Sequence, residues 1–236
     1  MTIRFVLPFL WLILAGCAGR VVAPGPLEHE TEAIELDKTE KTEMARVELH
    51  MGAGELKVSG GSPRLLDADF TYDNPELKPI VRYTTSSFRG RLTIEQPNVH
   101  SAGTASHYEW KLRLNNNLPL DVVTHLGAGN AEMNLGGLML RSVELHMGVG
   151  NLDMDLRGNP KRDYDVQIQG GVGNATVRLP ANVGIVANAS GGIGNIEAQG
   201  LEKHGGRWVN RAHVDAKVTI HLNVKGGVGN IELIAE

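Results

Sequence analysis

The chain has little of what a disulfide-held or catalytic protein usually carries. Its 236 residues contain one cysteine, at position 17, so no intramolecular disulfide bond can form and packing alone must hold the fold. No GxSxG, HExxH or CxxC sequence is present. Paired carboxylates such as Asp153 and Asp155 alternate with apolar residues, as on the wet face of a strand. We therefore expect no enzymatic activity and no cofactor.

An excess of positive charge is also missing. The chain has 23 basic and 27 acidic residues and a net charge of −4, whereas nucleic-acid-binding proteins typically show a basic patch. We therefore expect no nucleic-acid partner. One group of basic residues is nevertheless concentrated in the N-terminal half. If these residues share a face they could meet anionic polymers or lipid head groups. The other interpretation is that they are charged residues that protect sheet edges. They are Arg82, Arg89, Arg91, Lys111 and Arg113.

No apolar run reaches the roughly 20 residues that a helix needs to cross a bilayer. The N-terminal run, Phe5 to Leu14, is half that length and follows the positively charged Arg4. A short apolar run behind a positive charge is typical of an export signal that is removed from the mature protein.

The sequence LAGC at 14–17 resembles the bacterial lipobox, in which the peptide is cut before the cysteine and that cysteine is acylated. We predict a signal peptide at 1–16, lipidation of Cys17 and a flexible tether at 17–32, where Pro24, Gly25 and Pro26 precede acidic residues. The alternative is an ordinary signal peptide with an incidental cysteine. The predicted location is extracytoplasmic, anchored to the outer membrane if the host has one and otherwise to the cell membrane.

A Gly-x-Gly-Asn sequence recurs five times, and HMGAGE at 50–55 is a sixth variant. In VELHMGVGNLDMDL (143–156) apolar residues alternate with polar ones, but their parity changes at the motif. A regular strand cannot change parity without turning its core face to water, so a bend with positive φ is expected there. The predicted corner residues are Gly127, Gly129, Asn130, Gly148, Gly150, Asn151, Gly171, Gly173, Asn174, Gly192, Gly194, Asn195, Gly227, Gly229 and Asn230.

These corners predict a stacked repeat, since most copies are separated by about 20 residues. The five asparagines are expected to stack, each amide bonding to its neighbour at strand spacing. A phosphate cradle is the competing interpretation of a glycine-rich sequence, but no GK[ST] and no helix follows any copy.

The predicted fold is all-β. An antiparallel region at 33–120 continues into a solenoid-like stack of β-rungs at 121–236, packed with it as one unit. Strands are expected at 64–72, 80–87, 89–96, 107–114 and 118–126. The C-terminal strand IELIAE has no cap of its own, so we expect the insertion at 201–213 to cover it.

Three histidines occupy one repeat position, two residues before the first glycine: His50, His125 and His146. On adjacent rungs they would form an outward column beside Glu48 and Glu144. Such a column could bind Zn²⁺ or Cu²⁺. The other interpretation is an exposed polar column, because the same position elsewhere holds Gln, Ser or Lys.

The order of motifs is similar to that of the toast-rack family of bacterial envelope proteins. The residues that carry this resemblance are VELHMGAGELKVSGG (47–61), PIVRY (79–83), EWKLRLNNNLPLDV (109–122) and GLEKHGGRWVN (200–210). The resemblance implies a solenoid-like β-fold related to adhesin-like modules and envelope-stress regulators, with no catalytic residues to carry over. We expect a non-catalytic scaffold, adhesin-like or sensory module that contacts an envelope protein. The alternative is an extracytoplasmic binder of a metal or small ligand through the histidine column.

Overall fold

A computed structural model describes residues 25–36, 42–97 and 107–236. The predicted signal peptide, Cys17 and the first part of the predicted tether lie outside these residues. The described residues contain two short 3-10 helices, Pro75–Leu77 and Arg211–Asp215. None of the helices in the described ranges is long and apolar enough to cross a membrane. The strands are β1 (Glu28–Ile34), β2 (Met44–Ser62), β3 (Leu66–Tyr72), β4 (Ile80–Ser86), β5 (Arg89–Glu95), β6 (Tyr108–Asn115), β7 (Pro119–Asn134), β8 (Met139–Asp155), β9 (Tyr164–Val172), β10 (Ala175–Leu179), β11 (Gly184–Ser190), β12 (Ile196–Gln199), β13 (Glu202–His204), β14 (Arg207–Val209), β15 (Thr219–Lys225) and β16 (Ile231–Ala235).

The longest strands bend in the middle. In β8 the bend lies at Gly150, whose φ is 140°. Leu145 and Met147 are buried before this bend, and Leu152 and Met154 are buried after it, so the apolar parity changes there. We call the two halves of such a unit its first and second arms, and the whole unit a rung. In the pairs β9–β10, β11–β12 and β15–β16 the two arms are separate strands. The predicted all-β class with GxGN corners is confirmed.

The two arms of each rung face each other across the core. After β7 only residues 135–138 connect the end of its second arm to the start of β8. Such a link spans at most roughly 18 Å, whereas the first arm of β7 or β8 is roughly 35 Å long and the second arm roughly 17 Å. The free ends of the arms must therefore be close together. The result is one continuous mixed sheet, folded along the line of corners over a single hydrophobic cluster.

The rungs pair in parallel, but their order in space differs from their order in the chain. The first arms follow the order β2, β7, β8, β9, β15 and β11. The second arms agree, since β16 pairs with both β10 and β12. The last rung of the sequence therefore lies inside the stack, between the β9–β10 and β11–β12 rungs.

The N-terminal region is mixed rather than wholly antiparallel, which corrects the expectation for 33–120. Its strand β2 is the first rung and pairs in parallel with β5, β6 and β7. Antiparallel pairing is confined to the flanks, where β4 pairs with β5 and β3 pairs with both β1 and β6. The pairing is parallel because the HMGAGE sequence of β2 bends like the GxGN copies. Strand β2 therefore forms a rung, and β7 pairs along its edge.

The predicted tether also requires a correction, because residues 28–32 belong to β1. This strand pairs with β3 along its full length. Its acidic side chains have partners: Glu30 accepts hydrogen bonds from Lys78 at 2.6 Å and from the Tyr72 hydroxyl at 3.1 Å. Strand pairing and these polar contacts order a segment that has little apolar surface to bury.

The insertion at 201–213 covers the end of the stack, but not the strand that we predicted. The C-terminal strand β16 lies between β10 and β12 and is not at the end. The hairpin β13–β14 instead pairs with β11, the last first arm. Trp208 packs against the core there, and Lys203 Nζ lies 5.3 Å from the centre of its ring.

Candidate functional site

The corners explain why glycine recurs twice in each copy. The second glycines have φ values between 135° and 149°, a region that L-residues with side chains rarely adopt. A Cβ on Gly148 would overlap the carbonyl oxygen of Gly127, and a Cβ on Gly150 would overlap that of Gly129. The same overlap, with the rung that comes before it in the spatial order of the stack, recurs at Gly171, Gly173, Gly192, Gly194, Gly227 and Gly229. Glycine therefore provides both the bend and the close approach of successive rungs.

The asparagines of the corners form a hydrogen-bonded ladder. Asn130 Oδ1 accepts from the backbone N–H of Asn151 at 3.3 Å, and Asn151 Oδ1 accepts from that of Asn174 at 3.2 Å. The ladder continues from Asn174 to Asn230 at 3.0 Å and from Asn230 to Asn195 at 3.1 Å. The backbone amides that a phosphate would need are thus used between rungs. The bend itself uses the glycine alone, since none of these asparagines has a positive φ.

The three histidines form a column on the outer face of the first arms. The ring centres of His50 and His125 are 5.0 Å apart, and those of His125 and His146 are 4.9 Å apart. The rings are nearly parallel, with interplanar angles of 7° and 5°. The row continues through Gln169, Lys225 and Ser190. The three histidines that share one repeat position therefore lie side by side on neighbouring rungs.

This column is not arranged as a metal site. Two nitrogen ligands of one Zn²⁺ ion lie within roughly 4.2 Å of each other, because each Zn–N bond is about 2.1 Å long. Equivalent nitrogens of parallel rings 4.9–5.0 Å apart cannot meet this condition. Across the described ranges, no group of three or more His, Cys, Asp or Glu side chains is placed to hold a metal ion.

An open groove of about 820 Å³ lies between the histidine column and the corners. Its floor is backbone at Gly52, Gly127 and Gly148, and β5 contributes Glu95 and the residue after it, Gln96, to the wall. Gln96 Oε1 accepts hydrogen bonds from the backbone N–H groups of Gly52 and Ala53, at 2.7 and 3.0 Å. The flat floor and the exposed imidazole edges suit contact with another polypeptide better than enclosure of a small ligand.

The residue between the two glycines of each corner points to solvent. Val149, Val172, Val228 and Ile193 are neighbours on successive rungs and are 54, 49, 44 and 71% exposed. We call this row the apolar ridge. Contiguous exposed apolar surface is uncommon on a monomer and marks contact surfaces. The sequence signal was present, as a Val or Ile at the x position of four of the five GxGN copies, but the sequence pattern alone suggested no role for it.

The histidine column is expected to make the fold sensitive to mild acid. Burial, followed by the neighbouring imidazoles of His50 and His146, lowers the pKa of His125 below its ordinary value of 6.5. Glu144 and Glu48 act in the opposite direction but do not reverse the shift. As the pH falls through 6.5, the unfolded chain therefore takes up a proton at this histidine before the folded chain does. The stability that neutral His125 contributes above pH 6.5 is therefore lost as the pH falls from 6.5 through the pKa of His125 in the folded chain.

The measurement is the melting temperature between about pH 7.5 and about pH 5.5. We expect the decrease toward acid to be smaller in His125→Gln than in the wild type. His221→Gln is the control, because His221 lies on β15 outside the column. Equal decreases in the wild type and His125→Gln would contradict the role of the column.

The basic residues of the N-terminal half separate onto two faces. Lys111 and Arg113 on β6 pair with Glu109 and Asp67 beside the second arms. Arg89 and Arg91 on β5 instead lie beside the first arms. Two arginines that were not among the predicted basic residues, Arg46 and Arg141, lie with them. Arg82 pairs with Glu95 at 2.5 Å, away from this group.

Residues 23–178 match the family model of the N-terminal domain of toast-rack. The chain belongs to the toast-rack family. It is 31% identical to a candidate cell adhesion protein from Clostridium sporogenes ATCC 15579, whose crystal structure superposes with a TM-score of 0.83. That alignment covers 89% of this chain and all of the other.

A second solved structure is much less similar to this toast-rack chain. It is a candidate adhesin from Bacteroides fragilis NCTC 9343, 10% identical over 88% of this chain and 97% of the other, with a TM-score of 0.34. A likeness this weak supports no inference. No curated protein matches the sequence.

Proposed function

We propose that this toast-rack protein is a lipid-anchored, non-catalytic module of the cell envelope whose stacked sheet contacts a protein partner in adhesion or signalling. The observation that carries the proposal is the likeness to the C. sporogenes candidate cell adhesion protein over nearly the whole of both chains. Relatives of this similarity share a fold and commonly share a general role, although fold alone does not establish function.

The outer surface of the first arms supports a role in protein contact. The groove beside the histidine column and the apolar ridge adjoin each other along the corners. An apolar row bordered by polar groups is the usual composition of a protein interface. The parallel ladders beneath hold this surface rigid, so a partner would bind it without a large cost of ordering.

The anchor and the location rest on the N-terminal sequence. The LAGC sequence at 14–17 follows an export-signal pattern, and two acyl chains on Cys17 would hold the protein stably on a membrane. We expect Cys17→Ala to move the protein from the membrane fraction to the soluble fraction or to leave it unprocessed. Fractionation with metabolic labelling by a fatty acid measures both outcomes. A membrane-bound, unlabelled wild type would contradict lipidation.

The partner surface is tested by photocrosslinking in intact cells. A photoreactive residue in place of Glu144 or Gln167, on the outer face of the first arms, is expected to capture one dominant envelope protein, identified by mass spectrometry. The matched control is the same residue in place of Asp153, which is exposed on a second arm. Capture of the same proteins from all three positions, or of lipids and glycans alone, would contradict a specific docking face.

A further inference from the structure

A second concave region lies at the end of the first arms that is farthest from the corners. It has a volume of about 620 Å³ and is walled by Arg46 on β2, Arg89 and Arg91 on β5, and Arg141 on β8. Hydroxyl groups of the β4–β5 hairpin, including that of Ser86, complete the lining. We call it the arginine pocket.

The strand register brings these arginines together. Arg46 lies directly opposite Arg91 in the parallel pairing of β2 with β5, and Met44 lies opposite Arg89. Arg141 reaches the same place because β8 carries a bulge. Leu120 pairs with Leu140 and Asp121 pairs with Ser142, so Arg141 is an extra residue. Bulges redirect a side chain and recur beside functional sites.

The pocket carries surplus positive charge. Arg46 and Arg91 share Glu48, at 2.6 and 3.3 Å, and Arg141 Nε lies 3.5 Å from Asp121 Oδ1. Arg89 forms no ion pair within the described residues. Four arginines against two carboxylates leave a local charge of about +2, in a protein whose net charge is −4.

Arg141 also has a buried donor without a hydrogen-bond partner. Its Nε is shielded from solvent, and the 3.5 Å to Asp121 is an ion-pair distance that makes no hydrogen bond. The Arg141 side chain as a whole is 38% exposed, so its outer N–H groups, rather than Nε, are the donors that it can offer to a ligand. Guanidinium groups provide several fixed N–H donors and suit the oxygens of a phosphate.

The hairpin beside the pocket presents an aromatic side chain in a costly conformation. Ser87 and Phe88 form the two-residue turn between β4 and β5, with φ values of 51° and 67°. Such a turn favours Asn-Gly, and a bulky residue at positive φ is strained. Phe88 is nevertheless 54% exposed, so its ring gains little from the core. Backbone strain at an exposed turn that adds little to the core indicates that Phe88 has a role other than stabilising the fold.

We propose that the arginine pocket binds the phosphate of an anionic phospholipid head group while Phe88 enters the membrane interface beside it. A membrane surface offers an anionic phosphate and an apolar layer next to each other, which matches the two features of this hairpin. A free anion would use the arginines but would leave Phe88 without a role. The proposal adds a second, protein-mediated membrane contact to the anchor in the proposed function, and it is tested on a chain that is already anchored.

The experiment uses the full chain, purified from bacterial membranes, in nanodiscs of phosphatidylcholine or of equimolar phosphatidylcholine and phosphatidylglycerol. The reporter is Phe88→Trp. We expect its added fluorescence to shift to the blue, and to be quenched by brominated lipid, only in the discs with phosphatidylglycerol. Arg89 is exposed and forms no ion pair within the described residues, so Arg89→Ala should keep the fold. In this variant we expect the dependence of the fluorescence shift on phosphatidylglycerol to be about fivefold weaker.

Arg82→Ala is the matched control, because Arg82 is an exposed arginine of the same hairpin that lies outside the pocket. It should leave the shift unchanged. An equal shift in phosphatidylcholine discs, no shift in either disc, or an equal effect of Arg82→Ala and Arg89→Ala would overturn the proposal. Loss of the shift on adding millimolar inorganic phosphate would also overturn it, in favour of a free-anion site. None of these results would affect the test of anchoring at Cys17, so the two proposals fail independently.

Discussion

Replacing Gly150 with alanine is expected to reduce the free energy of unfolding by roughly 2–6 kcal/mol, a large part of the stability of an ordinary domain. Two costs add. A residue with a side chain at the Gly150 φ of 140° is strained by roughly 1–3 kcal/mol. The new methyl group would also overlap the carbonyl oxygen of Gly129, and overpacking of a rigid site costs about 1–3 kcal/mol. Backbone cannot yield there as a flexible side chain would, because both rungs are held by neighbours.

Denaturant unfolding measures this effect, and Gly170→Ala is the matched control. Gly170 lies in the next rung, on β9, where an added Cβ meets no atom within 4 Å and φ is outside the left-handed region. A glycine to alanine change at such a compatible position stabilises by about 0.4–1 kcal/mol. If both variants unfold at the same denaturant concentration, the close approach of the corner backbones does not limit the stack.

Asn210→Ala is expected to cost roughly 2–5 kcal/mol, because Asn210 fastens the end hairpin to the stack. Its side chain is buried and bonds three backbone groups of the segment leading into β11. Oδ1 accepts from the Ile185 N–H at 2.9 Å, and Nδ2 donates to the carbonyls of Val183 at 2.7 Å and Ala181 at 3.4 Å. Removal of the amide leaves these groups unsatisfied, and each buried polar group without a partner costs about 1–3 kcal/mol.

Thermal unfolding and hydrogen exchange together test the role of Asn210. The melting temperature should fall, and the amides of β13, β14 and β11 should exchange before those of β7 and β8, since the stack would open from its covered end. Asn188→Ala is the control, because Asn188 is an exposed asparagine on β11 itself. Uniformly faster exchange through the whole stack would contradict a local role for Asn210.

The local structure of each rung was readable from the sequence for a physical reason. Side chains alternate strictly along a strand, so the change of parity between Met147 and Leu152 requires a bend, and the two glycines mark its place. The histidine column was readable for the same reason. His125 and His146 occupy one repeat position on rungs that follow each other in the chain, and these two rungs pair directly.

The contacts that cross the repeat were not readable. Strand β15 pairs with both β9 and β11 and so lies between them. The corner sequences are nearly identical in all rungs, so they do not predict this position. The arginine pocket depends on the parallel pairing of β2 with β5 and on a bulge in β8, both of which are set by tertiary contacts. The ordering of β1 likewise depends on an open edge of β3.

The sequence by itself determined the bend, the close spacing and the outward or inward position of each side chain in a rung. These follow from backbone sterics and the two-residue period of a strand, which act within a few residues. Only the tertiary structure decided the order of the rungs, the strand that the end hairpin covers and the side chains that meet in the arginine pocket. These depend on which of several equivalent edges pair, and equivalent edges differ in free energy only through contacts between residues distant in the chain.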